Sequence, residues 1–259
     1  MSIRFEPGRY LIDRPITIPP HVEHVDFSFC DLVAGAGLAA GDREGFVIAG
    51  GADAADLPPL FVERLLAWEQ WSGGHCTFTH TCRRTVCFRD MQTQGLRFYR
   101  NSVPGGRVFF DNVATTTGVR PGAEGHGRCA VSLHGQRAWA RQLNPERGEP
   151  MILNDGGDLV LLGFKSEDMG VVLHTIHGGQ SEVLGGVVNC GRPGAEAFVA
   201  EDAEMRISTA THGWLEGSGH RTQIRHVRAG RAVVIESRDL PSRDFDPSRG
   251  RQVLIPLSR

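Results

Sequence analysis

Short apolar runs broken by glycine recur through the middle of the chain at an interval of about 22 residues. Met91, Val113, Leu143, Phe164 and Val187 fall at spacings of 22, 30, 21 and 23, each inside a strand-like run. A second ladder, Gly106, Gly135, Gly157 and Gly179, has spacings of 29, 22 and 22, and each glycine precedes a polar residue: Arg107, Gln136, Asp158 and Gln180. The interval is too short for a propeller blade, and the runs lack the Leu/Asn pattern of leucine-rich repeats. It predicts one turn of a parallel β-helix. A single coil cannot bury its apolar side, so coils stack at the strand spacing of roughly 4.8 Å and the five apolar residues form one inner row. The glycine ladder marks a corner where positive φ carries no steric penalty. The longer spacings place a loop over residues 115–127.

Alternation along a strand sends neighbours of inward residues outward. With Leu143 beside Phe164, one coil of 21 residues puts Asn144 next to Lys165 and Glu146 next to Glu167, all on the outer face. Carboxylates stacked about 5 Å apart suit the acid and nucleophile of a retaining glycosidase. They suit a Ca²⁺ site equally, or with Lys165 the base of a lyase, or a surface ladder in which Lys165 neutralises Glu146 and Glu167. The catalytic candidates are therefore Glu146, Glu167 and Lys165, with Asn144 beside them as a binding residue. Asp155 and His177, 22 apart, are expected to be neighbours at the glycine corner near Asp158. They would orient an imidazole for acid–base work or bond the turn amides. Trp68, Trp71, Trp139 and Trp214 are either core residues or sugar platforms, and Trp139, pointing away from Ala138, is the best placed to stack on a pyranose. His75 and His80 fall on opposite strand faces, which argues against a shared metal ion.

Composition narrows the reading. The chain has 259 residues, 40% of them hydrophobic, and 33 glycines, enough for one elongated all-β domain over 1–259 with parallel coils from about residue 3 to about residue 240. A formal charge of −2 gives no electrostatic case for nucleic acid or an anionic membrane. No run approaches the ~18 apolar residues of a membrane span, and Met1–Glu6 lacks the charged and apolar regions of a signal peptide, so the chain as given is expected to be soluble and untargeted. The cysteines, 30, 76, 82, 87, 129 and 190, have no Cys-x-x-Cys spacing and are expected to be buried thiols. No metal site or other cofactor is called for, Ca²⁺ between the carboxylates being the one alternative. Of 28 basic residues, only Lys165 is a lysine.

Glu6-Pro7-Gly8-Arg9-Tyr10-Leu11-Ile12 followed by Pro15-Ile16-Thr17-Ile18-Pro19 gives turn, strand, turn and strand. This opening resembles the "P-G-x-Y-x-I … I-x-I-P" segment of pectate lyase-like, right-handed parallel β-helix proteins, the superfamily that includes polygalacturonase-related hydrolases. The blocks 135–146, 154–157, 162–167 and 178–186 are similar to a core recurring in bacterial members. The resemblance implies a right-handed, single-stranded parallel β-helix acting on an extended acidic polysaccharide, outside the cell or at its surface, as glycoside hydrolase or lyase. Such proteins carry, ahead of this strand, a "G-D-G-x-T-D-D-T" segment and a capping helix, and the present sequence opens after them. The polygalacturonase signatures Asn-Thr-Asp, Asp-Asp and Arg-Ile-Lys are missing, as is the Arg-x-Pro-x-x-Arg run of pectate lyases. A non-catalytic glycan-binding β-helix, or a structural piece of a cell-surface or phage-spike assembly, is therefore the alternative function; oligomeric state is left open.

Overall fold

The computed structural model describes residues 1–39, 43–50, 54–68, 75–95, 97–117, 129–168, 170–190, 195–213, 218–244 and 251–258. The chain winds into a parallel β-solenoid of about 8 turns, about 23 residues apart. Its strands form two sheets, one of 14 strands and one of 10. The coil beginning at Val86 shows the plan. The strand Val86–Gly95 belongs to the larger sheet and Arg97–Asn101 to the smaller one, and the next coil starts at Arg107.

The long strands are bent. Asp90 (φ 52°) divides Val86–Gly95 into two legs, and Asn112 (57°), Gln142 (54°), Gly163 (62°) and Gly185 (74°) do the same in later coils. Each of these coils thus has a first leg, a left-handed corner, a second leg and then a third leg in the smaller sheet. A short amide or carboxylate side chain tolerates that corner conformation. Asn112 also donates from Nδ2 to Asp90 Oδ1 at 2.8 Å, tying one corner to the next.

First-leg residues Val62, Phe88, Phe110, Ala140, Leu161, Val183 and Ile207 follow one another in register and are all buried. The core is aromatic towards the N-terminus, where Phe88 and Phe110 stack at 5.7 Å and 8° and Phe46 and Phe78 at 5.4 Å and 25°. On the second leg, Met91, Val113 and Leu143 are register partners, and Phe164 is buried with them, as expected. Val187 does not join this row. Phe164 pairs with Gly186, and Val187 pairs with Lys165 and is only half-buried, because the spacing here is 22 rather than 23. A Cβ on Gly186 would lie 2.3 Å from the Phe164 carbonyl oxygen and 2.7 Å from its ring, so the phenyl group occupies the place that an inward side chain would need.

The glycine ladder also shifts by one place. Arg107, Arg137 and Asp158 are register partners, which puts Gln136, not Gly135, between Gly106 and Gly157. Gly135 belongs to the row Gly105, Gly135, Gly156 and Gly178, all at positive φ. Gln136 is buried, accepting from Tyr99 Oη at 2.8 Å. The expected loop is corrected at its start: Thr115, Thr116 and Thr117 stay in the strand and are buried, while residues 118–127 lie outside the described residues.

The parallel winding ends at Thr222–Arg228, short of residue 240. The chain reverses through Ala229 and Gly230 (φ 48° and 74°), and Arg231–Glu236 runs antiparallel along that last coil. Arg251–Ser258 likewise pairs antiparallel with Glu204–Gly213. The six cysteines are all free, five of them buried and Cys87 half-buried. His80 turns inward and is fully buried, and the His75 side chain is outside the described residues.

Candidate functional site

The outer face of the second leg brings Asn144, Glu146, Lys165 and Glu167 together. Glu146 and Glu167 are register partners. Lys165 Nζ lies 2.7 Å from Glu146 Oε1 and 2.8 Å from Glu167 Oε1, so one ammonium bridges both carboxylates. Asn144 Nδ2 donates to Glu146 Oε1 at 3.0 Å, Thr116 Oγ1 to Glu146 Oε2 at 3.4 Å, and Asn189 Nδ2 to Glu167 Oε1 at 3.3 Å. Thr116 and Asn189 escape a reading of the 21-residue spacing alone; offsets of 30 and 22 along the same outward row would have found them. The Asn144 Oδ1 atom is buried without a hydrogen-bond partner among the described residues.

The electrostatics favour ions on both sides. Burial pushes the Glu167 carboxyl up, but the hydrogen bond and charge of Lys165, with Asn189, outweigh it and hold the group below its ordinary value. Burial pulls the Lys165 ammonium down, but the bonds from Glu146 and Glu167 outweigh that and raise it. Stacked like charges by themselves raise a carboxylate towards a general acid. For Glu167 the intervening ammonium turns the shift the other way.

At the glycine corner, His177 Nδ1 lies 2.7 Å from Asp155 Oδ1, as the spacing predicts. His134, which sequence reasoning passed over, places its Nδ1 3.3 Å from Asp155 Oδ2. It precedes Gly135 as Asp155 precedes Gly156, and that match was the available signal. Burial raises the Asp155 carboxyl, but the two histidine contacts outweigh it and lower the group overall. Asp158 pairs with Arg137 instead, at 3.2 Å. Both imidazoles are exposed.

Trp139 lies on the outer face of the first leg, away from the carboxylate patch. Its indole stacks on Phe109, with centroids 4.9 Å apart and planes inclined by 12°. Trp139 is half-buried and Phe109 is 36% exposed. The row continues through Cys87 to Phe61, itself 41% exposed. Trp68 lines a separate cavity of about 360 Å³ with Phe29, Asp31, Leu66 and Gln92. Trp71 and Trp214 lie outside the described residues. Among the described residues, no group of three or more His, Cys, Asp or Glu side chains is placed to hold a metal ion. No family model, curated protein or solved structure matches this chain.

Proposed function

We propose that the column is a polysaccharide-binding β-helix that lays an extended glycan along the outer face of its first leg. The observation that carries this reading is the Phe109–Trp139 pair: two parallel rings on the outside of the solenoid, where core packing gives them no role. Apolar surface left in solvent suits the C–H faces of pyranose rings, and the two stacked rings turn their edges outward as an apolar platform that Phe61 extends. The likeness of the N-terminal strands to pectate lyase-like proteins supports a glycan partner. A glycan panel read by affinity tests it: Trp139→Ala should abolish binding while leaving the melting temperature nearly unchanged, and a variant that binds like the wild type would refute the platform.

A second reading, cleavage of the bound polysaccharide by hydrolysis or elimination, is favoured by one fact. The only lysine in the chain stands between two carboxylates on an adjacent outer face. Glu146 and Glu167 would act as acid and nucleophile, or Lys165 as base, with Asn144 holding substrate. Turnover would require Lys165 to release one carboxylate. Reducing ends and ultraviolet absorbance of unsaturated products distinguish hydrolase, lyase and binding protein in one assay. On this reading Glu146→Gln and Glu167→Gln each abolish turnover. Activity surviving both would move the search to Asp155 and His177.

A further inference from the structure

We propose an oxyanion subsite in the cavity of about 420 Å³ at the glycine corner, walled by Arg83, Arg107 and Arg137. It rests on the glycan-binding reading above and names the substituent that the glycan carries: a carboxylate or a sulfate ester. The cavity holds three guanidinium groups and one lining carboxylate, Asp158, in a chain whose formal charge is −2. Arg137 Nε contacts Asp158 at 3.2 Å, with both side chains more than half exposed. Arg83 Nε donates only to the Pro104 carbonyl oxygen, at 3.1 Å. Arg107 is exposed and makes no ion pair or side-chain hydrogen bond with any described residue.

Positive charge of this kind, three guanidinium groups gathered in a concavity against one carboxylate, fits planar or tetrahedral oxyanions through paired N–H donors. The floor is glycine, and a Cβ on Gly105 would stand 3.5 Å from Arg83 Nε, beside the guanidinium. Four of the five lining glycine amides are committed: Gly105 N donates to Gly135 O, Gly135 N to Asp155 O, Gly156 N to Ile176 O and Gly157 N to Asn154 Oδ1, so recognition falls chiefly to the guanidinium groups.

The position ties the cavity to the platform. Arg107 and Arg137 are register partners one coil apart, and Phe109 and Trp139 follow them by two residues on the same face. Two residues of strand span roughly 6.6 Å, about the reach from a stacked pyranose ring to the acid group on its rim. The aromatic pair would hold the sugar face and the arginine row its charge.

The test measures binding of an oligogalacturonate, a sulfated dextran oligomer, an unmodified dextran oligomer of the same length and inorganic sulfate to the wild-type chain and to Arg107→Gln, Arg137→Gln, Arg107→Lys and Trp139→Ala. The acidic oligomers should bind more tightly than the neutral one, with about tenfold loss for each Arg→Gln, partial retention in Arg107→Lys and a steep fall with salt. The neutral oligomer should not distinguish wild type from the arginine variants. Whichever acidic oligomer binds more tightly identifies the acid group. If both acidic oligomers bind as weakly as the neutral one, or if the preference survives the double Arg→Gln variant, the subsite is refuted. Loss of all glycan binding in Trp139→Ala with unaltered binding in the arginine variants would leave the platform standing and remove the subsite. If no glycan binds but inorganic sulfate shifts the Arg107 Nε–H resonance in wild type and not in Arg137→Gln, the subsite stands and the platform falls. No binding and no shift would overturn both.

Discussion

The left-handed corner depends on Arg64, the residue that adopts φ 59° in the third coil, and Asp26 one coil earlier is what holds its side chain. Asp26 is 4% exposed. It accepts from Arg64 Nε at 2.9 Å, from Arg64 Nη2 and from the Ser28 amide at 2.8 Å. The bond from Arg64 dominates, working against burial, and takes the Asp26 carboxyl from 3.8 down to about 2. A carboxyl held from 3.8 down to about 2 in the folded state corresponds to about 2.5 kcal/mol of stability. The sign follows from the depression: this stability is fully present above the unfolded value of 3.8 and is lost as pH falls through about 2. Asp26→Asn keeps the shape and removes the charge. It should therefore unfold about 2.5 kcal/mol more easily than wild type at pH 6, with the gap closing between pH 4 and pH 2. Urea denaturation across that range measures the difference. A solenoid can lose terminal coils before the rest, so amide exchange at Phe27 and Ser28 should be followed alongside. A gap that stays constant down to pH 2 would refute the argument, because it would mean that the charge of Asp26 contributes nothing to the corner.

Two further outcomes follow from packing and charge. Leu143→Ala should cost about 2–5 kcal/mol because it opens a cavity in a one-column core, whereas Val187→Ala, on the outer side beside Lys165, should cost less than about 1 kcal/mol. Equal losses in thermal melting would mean that the inward and outward assignments are wrong. Lys165→Met should destabilise the fold by about 1–2 kcal/mol at pH 7, between the values for exposed and buried pairs, because Glu146 and Glu167 then face each other unscreened. That repulsion raises carboxylate pKa values in the folded state, so the penalty should shrink as pH falls towards 4. A penalty independent of pH would show that the ammonium is not what holds the pair.

The inner row was legible in the sequence where spacing alone sets it. Met91, Val113, Leu143 and Phe164 differ by whole coils, and burial of each follows from period-two alternation. Val187 was misplaced because Gly185 and Gly186 change the local geometry without leaving an apolar signal, and the room that Phe164 takes is visible only in three dimensions. The left-handed corner was hidden for a related reason. Asp90, Asn112 and Gln142 hold it without glycine, so the column shows as a row of unrelated polar residues until Gly163 and Gly185. At the site, the arithmetic that joined Glu146 to Glu167 was sound, but it carries no information on side-chain direction. The bridging position of Lys165, which fixes the ionisation of the patch, depends on rotamers. Phe109 stands 30 residues before Trp139, the spacing that separates Val113 from Leu143, so the aromatic pair was within reach of the same arithmetic.

The reversal at Ala229 and Gly230 fixes where this architecture can change length. Upstream of it every coil is built on the one before by parallel pairing, so a coil gained or lost there shifts the register of nothing else and leaves both neighbours with a matching edge. Downstream, Arg231–Glu236 and Arg251–Ser258 run against the direction of winding and present an edge that a further parallel coil does not fit. A change in the length of this column is thus confined to whole-coil steps before Thr222, and the outward aromatic and arginine rows would lengthen or shorten with it, one strand spacing at a time.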